Sequence, residues 1–288
     1  MRLFDARYAL FCLVGLSLCG AEAHAGTGPK LSAKAALVIH NASGKVLFAK
    51  SATTSRPIAS LTKLQVALVV RRRGLALQKG TVLTRVDHQV ALRGARTRLE
   101  LKWKYRNLDL LHASLMASDN RATSALGRSV GLNANALVQA MNELARIQGL
   151  KKTTFRGPVG LDYGNKSTCW EVARIVRQAS KDPVLRKVMG KSEYLLKPMI
   201  GYIKVRYRNT NPRVGKKASM KFLASKTGFN DKAGYCLAAV VKLPRLGEVT
   251  YVLLGSKSKW LRVVDQGKLL SFIRSQGETR LKASGVRL

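Results

Sequence analysis

The chain has 288 residues, 46% of them hydrophobic, which is enough for a sizeable core and excludes global disorder. Its 52 Lys and Arg against 15 Asp and Glu give a formal charge of +37, spread along the whole length rather than gathered in one tail. Such a field favours anionic partners such as nucleic acid, acidic lipid or cell-wall polymer; no nucleic-acid recognition motif of the usual kinds is present, so nucleic acid is not an expected partner.

At the N-terminus, Arg2 and Arg7 flank the start of YALFCLVGLSLCGA, Tyr8 to Ala21, an apolar run too short for a comfortable membrane span. Small-x-small sites follow at Ala21 to Ala23 and at Ala23 to Ala25. The pattern predicts a signal peptide over 1–25, cleaved after Ala25, a periplasmic or secreted location and no stable membrane anchor. A lipoprotein signal at Cys19, which follows Leu18 rather than a small residue, and an uncleaved anchor are the alternatives. Cleavage would remove Cys12 and Cys19 and leave Cys169 and Cys236. Two cysteines make no disulfide framework, and Cys236 in its apolar run reads as core, although the two could pair in an oxidising compartment. His24, His40, His88 and His112 show no ligand spacing with cysteines or acids, so no metal and no cofactor is expected.

Residues 26–34 read as a linker, 35–275 as one domain and 276–288 as a basic tail. The run ALVIHNASGKVLFAK predicts a hairpin turning at Asn41 to Gly44. An apolar helix opens near Ser60 and ends at RRRG, and a mixed stretch follows. Leu108, Leu111, Leu115 and Met116 share one helical face, which stops at ASDN. Further helices are predicted over about 121–130 and 134–148, and another after Thr168, which with Glu171 forms a capping-box pattern. After Lys197 the chain returns to strands, among them KFLASKTG, YCLAAVVKL and VTYVLLGS, and a last helix spans roughly 260–275. Strands at both ends with helices between predict an α+β fold with one antiparallel sheet assembled from the two ends of the chain.

Ser60 and Lys63 are three residues apart, so a helix would set them on one face. Taken alone, the pair fits an N-cap serine and a solvated lysine better than a site. Two further triplets change that reading: Ser118-Asp119-Asn120 directly after a helix, and Lys226-Thr227-Gly228 at the end of a strand-like run. S-x-x-K, S-x-N and K-T-G in this order form the signature of penicillin-binding proteins and serine β-lactamases.

With its flanking segments RPIASLTKL, LMASDNRAT, FRGPVGLDYGNKST, RNTNPRV and SKTGFNDKAGYCL, the chain resembles the D-alanyl-D-alanine peptidases among the low-molecular-mass penicillin-binding proteins, peptidase family S11. The resemblance runs from about 35 to 273 and is greatest to the endopeptidases of the penicillin-binding protein 7/8 type. It implies a serine β-lactamase/transpeptidase-like fold, an antiparallel sheet flanked by helices with a helical subdomain, and a penicillin-binding serine peptidase domain over 35–275. The implied substrate is peptidoglycan, and β-lactams are implied as covalent inhibitors. Departures are the basic RRRG and GKKASMKF segments and Gln65, where a Met is common; none touches a signature position.

The chemistry suits those residue types. No G-x-S-x-G elbow is present and no histidine stands near Ser60 in sequence, so Ser60 as nucleophile needs another base. Lys63 serves if burial and a second cation, Lys226, keep it neutral. Ser118 can relay a proton to the leaving amine, linked to Lys63 and Lys226. Asn120 can hold both Lys63 and substrate backbone. Lys226 and Thr227 suit a substrate carboxylate, and Gly228 admits substrate backbone close to its strand. The resemblance implies an oxyanion hole made by the backbone N–H groups of Ser60 and Phe229. Arg208 to Asn211 fit a site lining and a loop-stabilising role equally.

The expected function is a D-alanyl-D-alanine endopeptidase that opens peptidoglycan crosslinks in wall remodelling. Three alternatives remain. Carboxypeptidases of the same family usually add a β-rich stalk and an amphipathic helix, for which the residues after Gly228 leave no room. A class A β-lactamase would need a deacylating glutamate in an E-x-x-L-N segment, which Glu143, Glu171 and Glu193 do not provide. A non-catalytic basic wall-binding protein would not need the intact motifs.

Overall fold

The computed structural model describes residues 28–94, 97–216 and 220–286. The expected signal peptide, with Cys12 and Cys19, lies outside the described residues. In chain order the elements are β1 (Ala35–His40), β2 (Val46–Lys50), β3 (Arg56–Pro57), a 3-10 turn (Ala59–Leu61), α1 (Thr62–Arg72), β4 (Gly80–Val82), α2 (Arg85–Ala91), β5 (Lys104–Arg106), α3 (Asn107–Met116), α4 (Asn120–Ser129), α5 (Ala134–Ile147), β6 (Lys166–Ser167), α6 (Cys169–Lys181), α7 (Pro183–Met189), β7 (Glu193–Leu196), β8 (Val205–Arg208), β9 (Lys221–Asn230), β10 (Gly234–Leu243), β11 (Gly247–Ser256) and α8 (Lys259–Ala283).

Five antiparallel strands form the main sheet in the order β2-β1-β11-β10-β9. The sheet does draw on both chain ends: β1 lies between β2 and β11, with Ala35 opposite Leu254 and His40 opposite Val249. Successive residues of a strand face opposite sides. In β1 both sides are covered: Ala35, Leu37 and Ile39 enter a core shared with α1, α3, α4, α5 and α6, while Ala36 and Val38 enter a second core under α8. That explains why β1 is an unbroken apolar run, fully buried, rather than an alternating one.

Two expectations are corrected by packing. The final helix continues past 275 to Ala283, because Leu281 is buried in the second core and Arg280 lies 4.9 Å over the Phe272 ring. Gly277, in the segment read as a basic tail, is inside that helix; a Cβ there would stand 3.0 Å from Leu246. At α6 the Thr168 hydroxyl caps Glu171 N, but the Glu171 carboxylate turns away to Lys152 N and Thr153 Oγ1. A reciprocal capping box forms instead at α2, between Thr84 and Asp87. Cys169 and Cys236 are both buried and free.

β9 is the edge of the sheet, so one side of its backbone carries no strand partner. The 3-10 turn that opens α1 lies against this edge: a Cβ on Gly228 would stand 3.0 Å from Ser60 N and 3.0 Å from Ile58 O. Only a residue without a side chain lets the two backbones approach so closely. The α2–α5 region closes the other side, and the cleft lies between it and β9.

Candidate active site

Ser60 sits in the 3-10 turn, not at a helix cap, and α1 begins two residues later. The turn is fixed from outside. Ala59 has φ +47°, a left-handed conformation unusual for a residue with a Cβ. Thr62 Oγ1 donates to Ala59 O at 2.7 Å, and Asn165 Nδ2 donates to Thr62 Oγ1 at 2.9 Å. Asn165 also accepts from Arg156 N and Gly157 N, so one buried side chain ties the 155–165 loop to the nucleophile's turn.

Lys63 Nζ lies 3.0 Å from Ser60 Oγ and donates to Val159 O at 2.5 Å. It is fully buried, which rules out the solvated-lysine reading. Burial lowers its pKa to about 7, opposed by the negative charge of Asp119. The group is therefore half neutral near neutral pH, the condition a lysine base requires.

Lys226, on β9, is also fully buried and donates to Ser118 Oγ at 3.0 Å and to Thr227 O at 2.7 Å. Burial and the nearby positive charges of Lys63 and Arg262 hold its pKa well below the usual lysine value. Ser118 has φ +65° in the connection between α3 and α4. Asp119 fixes that connection: its carboxylate caps Ala122 N at 3.0 Å and accepts from Thr97 Oγ1 at 2.6 Å and Tyr207 OH at 3.2 Å.

The structure thus gathers Ser60, Ser118, Asn120, Thr227, Gly228 and Phe229 along a cleft of about 930 Å³, with Lys63 and Lys226 beneath. The pairing differs from expectation in two respects. Ser118 bonds Lys226, while Lys63 turns to Ser60 and Val159. Asn120 lines the cleft beside Gly94, where a Cβ would meet its Nδ2 at 2.1 Å. Its predicted hold on Lys63 is not among the bonds that Lys63 makes.

Some site groups carry no side-chain signal in the sequence. Val159 contributes a carbonyl. Gly160, φ +87°, packs so tightly that a Cβ would stand 2.3 Å from Ala59 O. Thr210 shares a 2.7 Å hydrogen bond with Thr227, which decides in favour of a site lining for this residue, whereas Asn211 braces the interior through Ser225. Arg262, from α8, is 5% exposed and lines the cleft with its guanidinium 5.9 Å from the Tyr235 ring centre. Loss of hydration lowers its pKa as well. A buried guanidinium in the wall of this opening makes a place for an anionic group. Glutamate is absent from the described cleft lining; Glu143 and Glu193 form exposed ion pairs with Arg146 and Arg206.

Known proteins resemble this chain in sequence and in fold. The chain is 29% identical over 255 residues to a D-alanyl-D-alanine endopeptidase of Pseudomonas aeruginosa, covering 88% of this chain and 81% of the relative. It is 28% identical over 260 residues to the D-alanyl-D-alanine carboxypeptidase DacF of Bacillus subtilis, covering 86% of this chain and 63% of the relative. The crystal structure of the Streptomyces K15 DD-transpeptidase superposes with a TM-score of 0.80 at 24% identity, covering 86% of this chain and 98% of that one, which shows a shared fold. The model of peptidase family S11, described as D-alanyl-D-alanine carboxypeptidase, matches residues 22–257. This protein is therefore a serine peptidase that belongs to family S11.

Proposed function

We propose that the protein is a D-alanyl-D-alanine endopeptidase that opens peptide crosslinks of peptidoglycan, in the periplasm or outside the cell, through an acyl-Ser60 intermediate. The observation that carries this reading is the buried Lys63, 3.0 Å from Ser60 Oγ with its pKa lowered to about 7. Neutral Lys63 takes the Ser60 proton as Oγ attacks the D-alanyl carbonyl carbon. The tetrahedral oxyanion is received by the N–H groups of Ser60 and Phe229, each such donor contributing about 3 kcal/mol to the barrier reduction. The C–N bond then breaks as the proton that Lys63 accepted passes to the departing amine through Ser118, which Lys226 supports, and Lys63 is neutral again for the water that follows. Water hydrolyses the ester, releasing a carboxylic acid and free Ser60.

Substrate would lie along the unpaired edge of β9, where its backbone can extend the sheet. Its carboxylate would meet Thr227, Lys226 and Arg262, and Asn120 would hold its backbone. A β-lactam would acylate Ser60 by the same attack. The endopeptidase reading draws on the Pseudomonas relative's name and on the roomy cleft, near the upper end of the usual range of about 300–1,000 Å³ for small-molecule sites. A crosslink presents the same D-alanyl carbonyl and neighbouring carboxylate as a terminal D-alanine, with a bulkier leaving peptide. The second reading is the carboxypeptidase, favoured by the family description and the Bacillus relative's name.

Incubation with purified sacculi separates the two. The expected result is conversion of muropeptide dimers to monomers, with little free D-alanine, and none of this with Ser60→Ala. Rapid release of D-alanine from pentapeptides with dimers intact would replace the endopeptidase by the carboxypeptidase. Labelling of Ser60→Ala by fluorescent penicillin as strong as that of wild type would remove Ser60 as the nucleophile.

A further inference from the structure

Exposed apolar side chains scattered singly need no explanation. One group in this chain is clustered. Between β7 and β8 the sequence runs Lys197-Pro198-Met199-Ile200-Gly201-Tyr202-Ile203-Lys204. Met199, Ile200, Tyr202 and Ile203 are 50%, 59%, 83% and 47% exposed.

The tip is held in place. Met199 N donates to Lys104 O at 2.7 Å, and Lys104 N donates to Ile200 O at 3.2 Å. The Tyr202 ring lies 5.0 Å from that of Trp103. Gly201 has φ +121°, and a Cβ there would stand 2.3 Å from the Trp103 ring, so the close approach requires glycine. Backbone bonds and a ring contact thus fix a segment whose apolar side chains point to solvent.

Charge tells what the segment suits. Lys197 and Lys204 bracket it, with Arg206, Arg208 and Lys102 nearby, all exposed. Glu193 is the single acid between residues 191 and 208, and it pairs with Arg206 at 3.3 Å. Aliphatic and tyrosyl side chains between lysines match a bilayer interface: the apolar groups enter the headgroup layer while the ammonium groups stay at lipid phosphates. Isoleucine and methionine offer a polysaccharide no hydrogen bond, and a second copy would bring the same lysines into mutual repulsion.

We infer that the β7–β8 hairpin is a reversible docking site for an anionic lipid bilayer, entered by Met199, Ile200, Tyr202 and Ile203 and steered by Lys197 and Lys204. None of the described helices is long and apolar enough to cross a membrane. β8 leads through Asn209 to Thr210, which bonds Thr227, so the hairpin is directly connected to the cleft.

Co-sedimentation of the full chain with vesicles tests this, using phosphatidylethanolamine with phosphatidylglycerol against phosphatidylcholine alone. A chain of charge +37 adheres to many anionic surfaces, so the deciding variant keeps the charge. Ile200→Ser with Ile203→Ser should weaken binding to the phosphatidylglycerol vesicles roughly tenfold or more. Lys197→Gln and Lys204→Gln should each weaken it about fivefold. Penicillin acylation at the wild-type rate shows that each variant is folded. Failure of wild type to bind these vesicles, or serine variants that sediment like wild type, would overturn the proposal. So would variants that lose only binding to sacculi, or only self-association, since the occupant would then be glycan or a second copy.

Discussion

Gly160 presses on Ala59 so closely that a methyl group at position 160 would stand 2.3 Å from the Ala59 carbonyl oxygen. Both residues have positive φ, and Ser60 follows directly. Any side chain at 160 must push the nucleophile's turn or leave its own conformation. Gly160→Ala should therefore slow penicillin acylation a hundredfold or more, since a displacement of about 1 Å can cost that much. The accompanying loss of stability should be about 1–3 kcal/mol. Wild-type acylation in the alanine variant would show that the contact does not position Ser60.

The pH dependence follows from Lys63. Only its neutral form can accept the Ser60 proton, and its pKa is lowered to about 7. The acylation rate should rise about tenfold per pH unit below that value and level off above it. The negative charge of Asp119 favours charged Lys63. Asp119→Asn removes that charge and keeps an acceptor for Ala122 N, so the rising limb should move to lower pH. A limb that stays in place or moves upward would show that Asp119 does not set the basicity of Lys63.

Arg262 bears on substrate choice. It is buried in the cleft wall near Thr210, and Thr210 bonds Thr227. Arg262→Gln should lower kcat/KM for peptides with a free carboxylate at the D-centre by roughly 10- to 100-fold, the size of a lost charge-assisted hydrogen bond. Matching amidated peptides should react equally with both proteins. An equal loss on both peptide series would mean that Arg262 supports the wall without reading the carboxylate.

Asp265 pins the N-terminal segment to α8. Its carboxylate accepts from Ser32 N at 2.8 Å, Ser32 Oγ at 2.6 Å, Ala33 N at 2.9 Å and Ser256 Oγ at 2.8 Å. Asp265→Ala leaves buried donors without a partner, which costs about 1–3 kcal/mol for each group left unsatisfied. Urea unfolding should show a lower midpoint, corresponding to several kcal/mol of lost stability in total, while the folded fraction still takes up penicillin normally. An unchanged midpoint would mean that other groups, or water, replace the carboxylate.

What could be read in advance followed the nature of each signal. Ser60, Lys63, Ser118, Asn120 and Lys226 act through side chains at fixed local spacing, so their motifs show in a linear string. The five-stranded sheet was legible because β9, β10 and β11 are long and rich in strand-forming residues. Val159 acts through its carbonyl, which every residue type carries, and Arg262 enters from a helix far along the chain, so neither could be seen before folding. The extent of α8 was hidden by Gly277, whose local preference is overridden by the packing of Leu281. Ser118 bonds Lys226 rather than Lys63, from a backbone of positive φ that its residue type does not announce.

The strand order has a bearing on when this enzyme comes into being. β1 needs β11 as its neighbour, and Ser60 needs the edge strand β9 beside it. A growing chain that has emerged only as far as α6 holds the nucleophile but neither Lys226 nor the strands that flank it. Closing so long a loop must precede the contacts that reward it, which makes such sheets slow to form. Hydrolytic capacity is thus withheld by topology until almost the entire polypeptide is present.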